Sequence, residues 1–168
     1  MIIETSRLKI IPLSYNQLLN YTFPNQLESS LGLIENGRLV SSKVTKKIKE
    51  QILPKIAVES QDNLFITFWI IILKSENVMS AEFCFKGKPD DNDTAEIGYA
   101  TFTNFQNLGI MTETIKAITG WIFENTCVKT IVAETDPNNY SSHRTLEKNN
   151  FRRVKENPDN WIWKLEKQ

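Results

Sequence analysis

Apolar residues alternate, run together and recur at helical spacing along this chain, and their succession predicts most of its elements. Leu8, Ile10, Ile11 and Leu13 mark a short strand over residues 6 to 13, closed by Pro12 and Ser14, with a helix starting near Ser14. Residues 20 to 42, broken by Pro24, Gly32 and Gly37, read as an irregular segment holding a helical turn around Gln26 to Leu31. Val44, Ile48, Ile52 and Ile56 recur every four residues among lysines, the pattern of an amphipathic helix, and Pro54 predicts a kink or break in it. Leu64 to Leu73 is apolar on both faces and rich in β-formers, so it predicts a central strand. Glu76-Asn77 turns the chain into a strand from Val78 to Phe85, and a polar loop from Lys86 to Thr94 leads to another from Ala95 to Thr103.

Further on, Ile110, Ile115, Ile118, Ile122 and Phe123 form a helical stripe over 111 to 125, ended by Asn125-Thr126. Val128 to Glu134 reads as a buried strand. Asp136-Pro137-Asn138-Asn139 caps a helix over 139 to 149, and Asn149-Asn150 suits a left-handed stop. Residues 151 to 155 and 160 to 166 close the chain as strands, with Trp161, Trp163 and Leu165 on one face. The order predicts a mixed α/β sheet with helices packed on it, in which a right-handed crossover through helix 111–125 makes its two flanking strands parallel.

The chain has 168 residues, 40% of them hydrophobic, which suits a single domain with a real core and no need of metal or disulfide staples. Twenty basic and twenty acidic residues cancel, so no global field draws the protein to nucleic acid or to an anionic membrane, and neither is expected as a partner. Cys84 and Cys127 lack metal-binding spacing and are expected to be reduced core residues, with no metal site. The N-terminus lacks a secretory pattern and no apolar run reaches transmembrane length, so the cytoplasm is the expected compartment. The aromatic set Trp69, Phe83, Phe85, Trp161 and Trp163 is explained as core by strand alternation, with Trp161 able to line a groove. His143, one helix position from Ser142 and without a partner in sequence, is expected at the surface.

Chemistry concentrates between residues 96 and 114, where a strand, a glycine-bearing turn and a helix start follow one another. Such a turn presents unpaired backbone N–H groups at the positive end of a helix dipole, which suits a phosphate-bearing ligand. It is no Walker A loop, because no Gly-Lys-Ser/Thr follows, and no dinucleotide fingerprint, because only Gly109 falls in that frame.

Gln106-Asn107-Leu108-Gly109-Ile110-Met111, followed by Thr112-Glu113, resembles the acetyl-coenzyme A loop of the GNAT-type N-acetyltransferases, in the branch that includes the ribosomal-protein N-terminal acetyltransferases. Glu96-Ile-Gly-Tyr99 resembles the strand before that loop, and Asn139-x-x-Ser142-x-x-x-Leu146-Glu-Lys148-x-x-Phe151 the coenzyme-side helix and its following turn. The opening Glu4-Thr-Ser-Arg-Leu8 with Pro12-Leu13 resembles the branch's first strand. The resemblance implies a mostly antiparallel twisted sheet with a central parallel, splayed strand pair and helices on both faces. It implies transfer of an acetyl group from acetyl-coenzyme A, the cosubstrate, to a primary amine of a small molecule or a protein N-terminus, by a monomer or homodimer.

On that resemblance the diphosphate meets the N–H groups of Leu108, Gly109, Ile110 and Met111, with Gln106 adding a side-chain donor and Asn107, Thr112, Asn139 and Ser142 also binding the coenzyme. The pantetheine arm would pair with Ile97, Gly98, Tyr99, Ala100 and Thr101, where an N–H near Tyr99 or Ala100 would polarise the thioester carbonyl. Glu96 is the candidate base, on the strand face of Gly98 and Ala100. Leu146 stands where many relatives carry a tyrosine acid, so Ser142, with Tyr140 second, is the candidate donor to the departing sulfur. Met111 replaces a small residue and would crowd the diphosphate if turned inward. Ala81 stands where relatives often have glycine. These departures leave a second reading, a catalytically silent coenzyme-binding or regulatory domain on the same fold.

Overall fold

A computed structural model describes residues 1–58 and 63–168. Eight strands form one sheet in the order β1-β2-β3-β4-β5-β6-β8-β7. They are β1 (Ile3–Glu4), β2 (Leu8–Pro12), β3 (Phe68–Leu73), β4 (Val78–Phe85), β5 (Thr94–Thr101), β6 (Thr130–Thr135), β7 (Arg152–Glu156) and β8 (Trp161–Glu166). Among these strands only β5 and β6 pair in parallel. The apolar run of β3 is buried from end to end because the strand serves two cores. Trp69, Ile71 and Leu73 meet one face, covered by helix α5 (Ile110–Asn125), while Phe68, Ile70 and Ile72 meet the other. That second face is covered by α1 (Tyr15–Tyr21), α2 (Gln26–Leu31) and the helical segment 42–58. The expected mixed sheet with helices on both faces is thus present. Among the described residues no helix is long and apolar enough to cross a membrane.

Ser14 caps α1 in a reciprocal capping box with Gln17, and Asn77 and Asn150 take positive φ where turns were expected. Three expectations need correction. Leu64 to Thr67 is no strand: residues 63–65 form a short 3-10 turn tied down by Trp69, whose indole N–H donates to the Leu64 carbonyl at 2.9 Å. Thr67 donates its hydroxyl to the Leu13 carbonyl at 2.7 Å. The segment at 42–58 does not break at Pro54. A π turn over Ile48–Ile52 lets Leu53 N–H reach back to the Ile48 carbonyl, between α3 (Ser42–Lys47) and α4 (Leu53–Val58). The wider turn takes up the spacing that the proline ring and its missing N–H would otherwise disrupt. Cys127 is exposed, because in the turn before β6 the neighbouring Val128 takes the buried position; Cys84 is half-buried.

The decisive feature for function is where the parallel pairing stops. β5 and β6 pair from Thr94↔Thr130 to Ile97↔Ala133, yet β5 continues to Thr101 and β6 to Thr135, with no further pairing between them. Lys86 N–H donates to the Glu96 carbonyl and Phe102 N–H to the Ser80 carbonyl, so even-numbered residues of β5 bond to β4. The backbone groups of Tyr99 and Thr101 therefore turn toward the gap, and the alternation gives this place to Tyr99 rather than Ala100.

Candidate active site

Gly109 opens α5 with φ 74°, a left-handed conformation that glycine adopts at no steric cost. The first N–H groups of α5 have no intrahelical acceptor, and among the described residues no side chain caps this end. Arg7 secures the turn. Its guanidinium donates to Glu113 Oε2 at 2.7 Å and to the Leu108 carbonyl at 3.1 Å, and Thr5 donates to Glu113 Oε1 at 2.5 Å. Burial alone would raise Glu113, but the bonds from Thr5 and Arg7 outweigh it and hold the carboxyl below its ordinary range. The Thr5-Ser-Arg7 and Thr112-Glu113 motifs, far apart in sequence, are thus one clamp on the glycine turn. Met111 does not crowd the turn, since it is buried in the core beneath α5.

In front of this turn lies a cleft of about 410 Å3 between the start of α5 and helix α6 (Tyr140–Lys148). Gln106, Asn107, Gly109, Ile110, Met111 and Thr112 line it on the α5 side, with Thr101 at its inner end. Tyr140, Ser141, Arg144, Thr145 and Lys148 line it from α6. Helical spacing puts 141, 144–145 and 148 on one face, and that periodicity could have revealed Arg144 and Lys148 as charged partners for an anion. Asn139 and Ser142 lie beside this cleft rather than in its lining: Asn139 caps α6 by accepting from Ser142 N–H, and the Ser142 carbonyl accepts from the Tyr99 hydroxyl at 3.5 Å. Burial pushes that hydroxyl up to about 12. Leu108 is half exposed at the flank and Ile97 belongs to the core.

A second cleft, of about 280 Å3, opens on the opposite face of the sheet. Gly98, Tyr99 and Ala100 form one wall, and Val44, Phe68 and Cys84 supply apolar surface. Glu82 is the carboxylate in its lining. Burial raises Glu82 above the ordinary carboxylate range, although the Tyr21 hydroxyl bonds it and Arg38 lies nearby. Arg38 stacks 4.1 Å over the Tyr21 ring and pairs with Glu28 at 2.9 Å, both side chains almost fully buried. Sequence reading passed over Glu82, yet it is the one charged residue in the strand Val78–Phe85, and that isolation was the available signal. Glu96 shares the face of Gly98 and Ala100, as expected, but its carboxylate is ion-paired to Lys86 and lies outside the cleft lining.

His143 is buried, contrary to expectation. It faces away from the cleft, stacked on Trp161 at 4.4 Å, with Nε2 3.0 Å from the Asp136 carbonyl. The α6 face it shares with Leu146 packs on the sheet, so it has a structural place there. Trp69, Phe83, Phe85 and Trp163 are core, while Trp161 is partly buried.

Residues 38–152 match the Acetyltransferase (GNAT) domain family. The uncharacterized N-acetyltransferase YjdG of Bacillus subtilis is 28% identical over 127 residues, covering 76% of this chain and 74% of that protein. The ribosomal-protein-S5-alanine acetyltransferase of Vibrio fischeri superposes with a TM-score of 0.74 at 14% identity, covering 99% of this chain and 96% of that one. RimL, a ribosomal L7/L12 alpha-N-protein acetyltransferase solved with coenzyme A, gives 0.70 at 18% identity, covering 99% and 98%. The glycine turn at the head of α5, the splayed β5–β6 pair and the family match agree: the chain belongs to the GNAT acetyltransferase family and is an N-acetyltransferase.

Proposed function

We propose that this protein moves the acetyl group of acetyl-coenzyme A directly to a primary amine, of a small molecule or a protein N-terminus, within a ternary complex. One observation carries the reading. The unpaired end of β5 is a wall shared by two clefts on opposite faces of the sheet, with Thr101 in one and Gly98, Tyr99 and Ala100 in the other. A thioester threaded into that gap from the α5–α6 side can be reached by an amine from the Glu82 side.

The diphosphate end suits the N–H groups at residues 109–112 and the cations Arg144 and Lys148. Backbone groups of Tyr99 and Thr101, free of strand partners on that side, pair with the pantetheine arm, and Tyr99 N–H can polarise the thioester carbonyl. The amine must lose its proton, since an alkyl ammonium has a pKa near ~10. Glu82, raised by burial and facing the acceptor cleft, is better placed to take it than Glu96, which Lys86 occupies. The nitrogen attacks the carbonyl carbon, the C–N bond forms and the C–S bond breaks, while the nitrogen's second proton passes to the departing sulfur, which hydroxyls of Ser142, Tyr140 or Tyr99 stabilise. The loop at 36–39, part of the irregular segment, lines a further cleft with Thr101 to Phe105 and so borders the acceptor side.

The test is release of free thiol from acetyl-coenzyme A by purified protein against a panel of amines, antibiotics and peptide N-termini. Thiol release that depends on the amine supports the reading. Coenzyme binding with no transfer to any acceptor would leave only the silent coenzyme-binding domain.

A further inference from the structure

The acceptor cleft adjoins a smaller recess of about 80 Å3, and Lys47, Phe68, Cys84 and Lys86 line both. Lys55 and Gln51 also line the recess, and Lys43 lines the cleft. Four ammonium groups from two separate parts of the chain therefore surround one apolar-walled space. The chain as a whole is neutral, with twenty basic and twenty acidic residues, so this concentration is local.

Lys46, on the outer side of the same helix, pairs with Glu50, and Lys86 pairs with Glu96. Lys43, Lys47 and Lys55 form no ion pair with a described residue. The field of Lys47 reaches the wall, pulling against the burial that raises the Cys84 thiol. Like charges gathered at an apolar cavity repel one another until an anion enters. The carboxylate available within the cleft, Glu82, bonds to Tyr21 and lies at the β5 end of the space.

We propose that the acceptor is a primary amine joined by a short apolar spacer to a carboxylate or phosphate, with the amine at Glu82 and the anion held between Lys47 and Lys55. This rests on the reading that the Glu82 cleft receives the acceptor. The lysines contribute twice: they hold the anion, and their field disfavours a second ammonium, which favours the neutral, nucleophilic amine. Polyamines are poor acceptors on the same ground. The anion can belong to a free amino acid or amino phosphonate, or to an acidic side chain near a peptide N-terminus.

The test measures thiol release at low ionic strength with 5-aminopentanoate and 3-aminopropylphosphonate, each against an uncharged isostere, the amide or dimethyl ester. Peptides with aspartate or asparagine at the second position form the other arm. An exposed ion pair is worth up to about a few-fold, so two of them give the anionic acceptor an advantage of about tenfold in kcat/KM. That advantage shrinks as salt screens the pairs. Lys47→Gln combined with Lys55→Gln brings the ratio to about one, while Lys47→Arg combined with Lys55→Arg keeps most of it; thermal melting confirms that each variant is folded. A wild-type ratio near one, or a ratio unaltered in the double variant, overturns this inference while leaving the transfer reading intact. Thiol release from no acceptor overturns both.

Discussion

Replacing Gly109 separates what the glycine does for the fold from what it does for the ligand. At φ 74° an added Cβ meets nothing closer than the Arg7 guanidinium at 3.7 Å, an ordinary contact, so the penalty for alanine lies in the backbone. A left-handed conformation costs an alanine about 1–2 kcal/mol, which in a chain of this size lowers Tm by roughly 2–8 °C. Aspartate tolerates that conformation better, so Gly109→Asp loses less stability than Gly109→Ala. Its carboxylate, however, stands at the mouth of α5 among the N–H groups that would hold a phosphate. At a separation of about 5 Å, with an effective dielectric between about 20 and 80, each unit of phosphate charge is repelled by about 1–3 kcal/mol. The ranking therefore crosses: alanine is the worse variant by thermal melting, aspartate by coenzyme A titration calorimetry, with Kd raised at least about tenfold. Wild-type affinity in Gly109→Asp would refute the phosphate cradle, and equal melting losses would refute the backbone argument.

Glu82→Gln lowers kcat by about 10²–10⁴-fold and removes the acid limb of the pH–rate profile, which stopped-flow thiol release would record; a normal rate eliminates Glu82 as base. Because burial raises the folded pKa of Glu82, its contribution favours folding at acid pH and is lost as pH rises through that raised value, so Glu82→Gln is more stable than wild type at pH 8 by denaturant titration. Arg38→Met strands the buried Glu28 carboxylate, whose own side chain is 1% exposed, and costs about 3–5 kcal/mol by the same titration, whereas adding Glu28→Leu recovers most of the loss. Arg144→Gln with Lys148→Gln weakens coenzyme A binding and flattens its dependence on salt; an unchanged salt slope would show that these cations do not face the phosphates.

Local physics made much of this protein legible from its sequence. The two-faced apolar run of β3, the stripe of α5, the caps of α1 and α6 and the Asn77 and Asn150 turns depend on neighbours a few residues away, and periodicity and turn chemistry record them. Gly109 was legible for the same reason, since a left-handed residue before a helix is a local demand. What only the tertiary structure decided depends on residues far apart meeting. Arg7 reaches Glu113 across more than a hundred positions, Tyr21 reaches Glu82 across sixty-one, and His143 is buried because α6 lies against Trp161. The splay is of the same kind: nothing in β5 or β6 alone says that pairing stops at Ile97 and Ala133. The sequence determined a glycine turn able to hold an anion. Packing decided which carboxylate and which lysines face the far side of that gap, because burial and field depend on the elements the chain brings together.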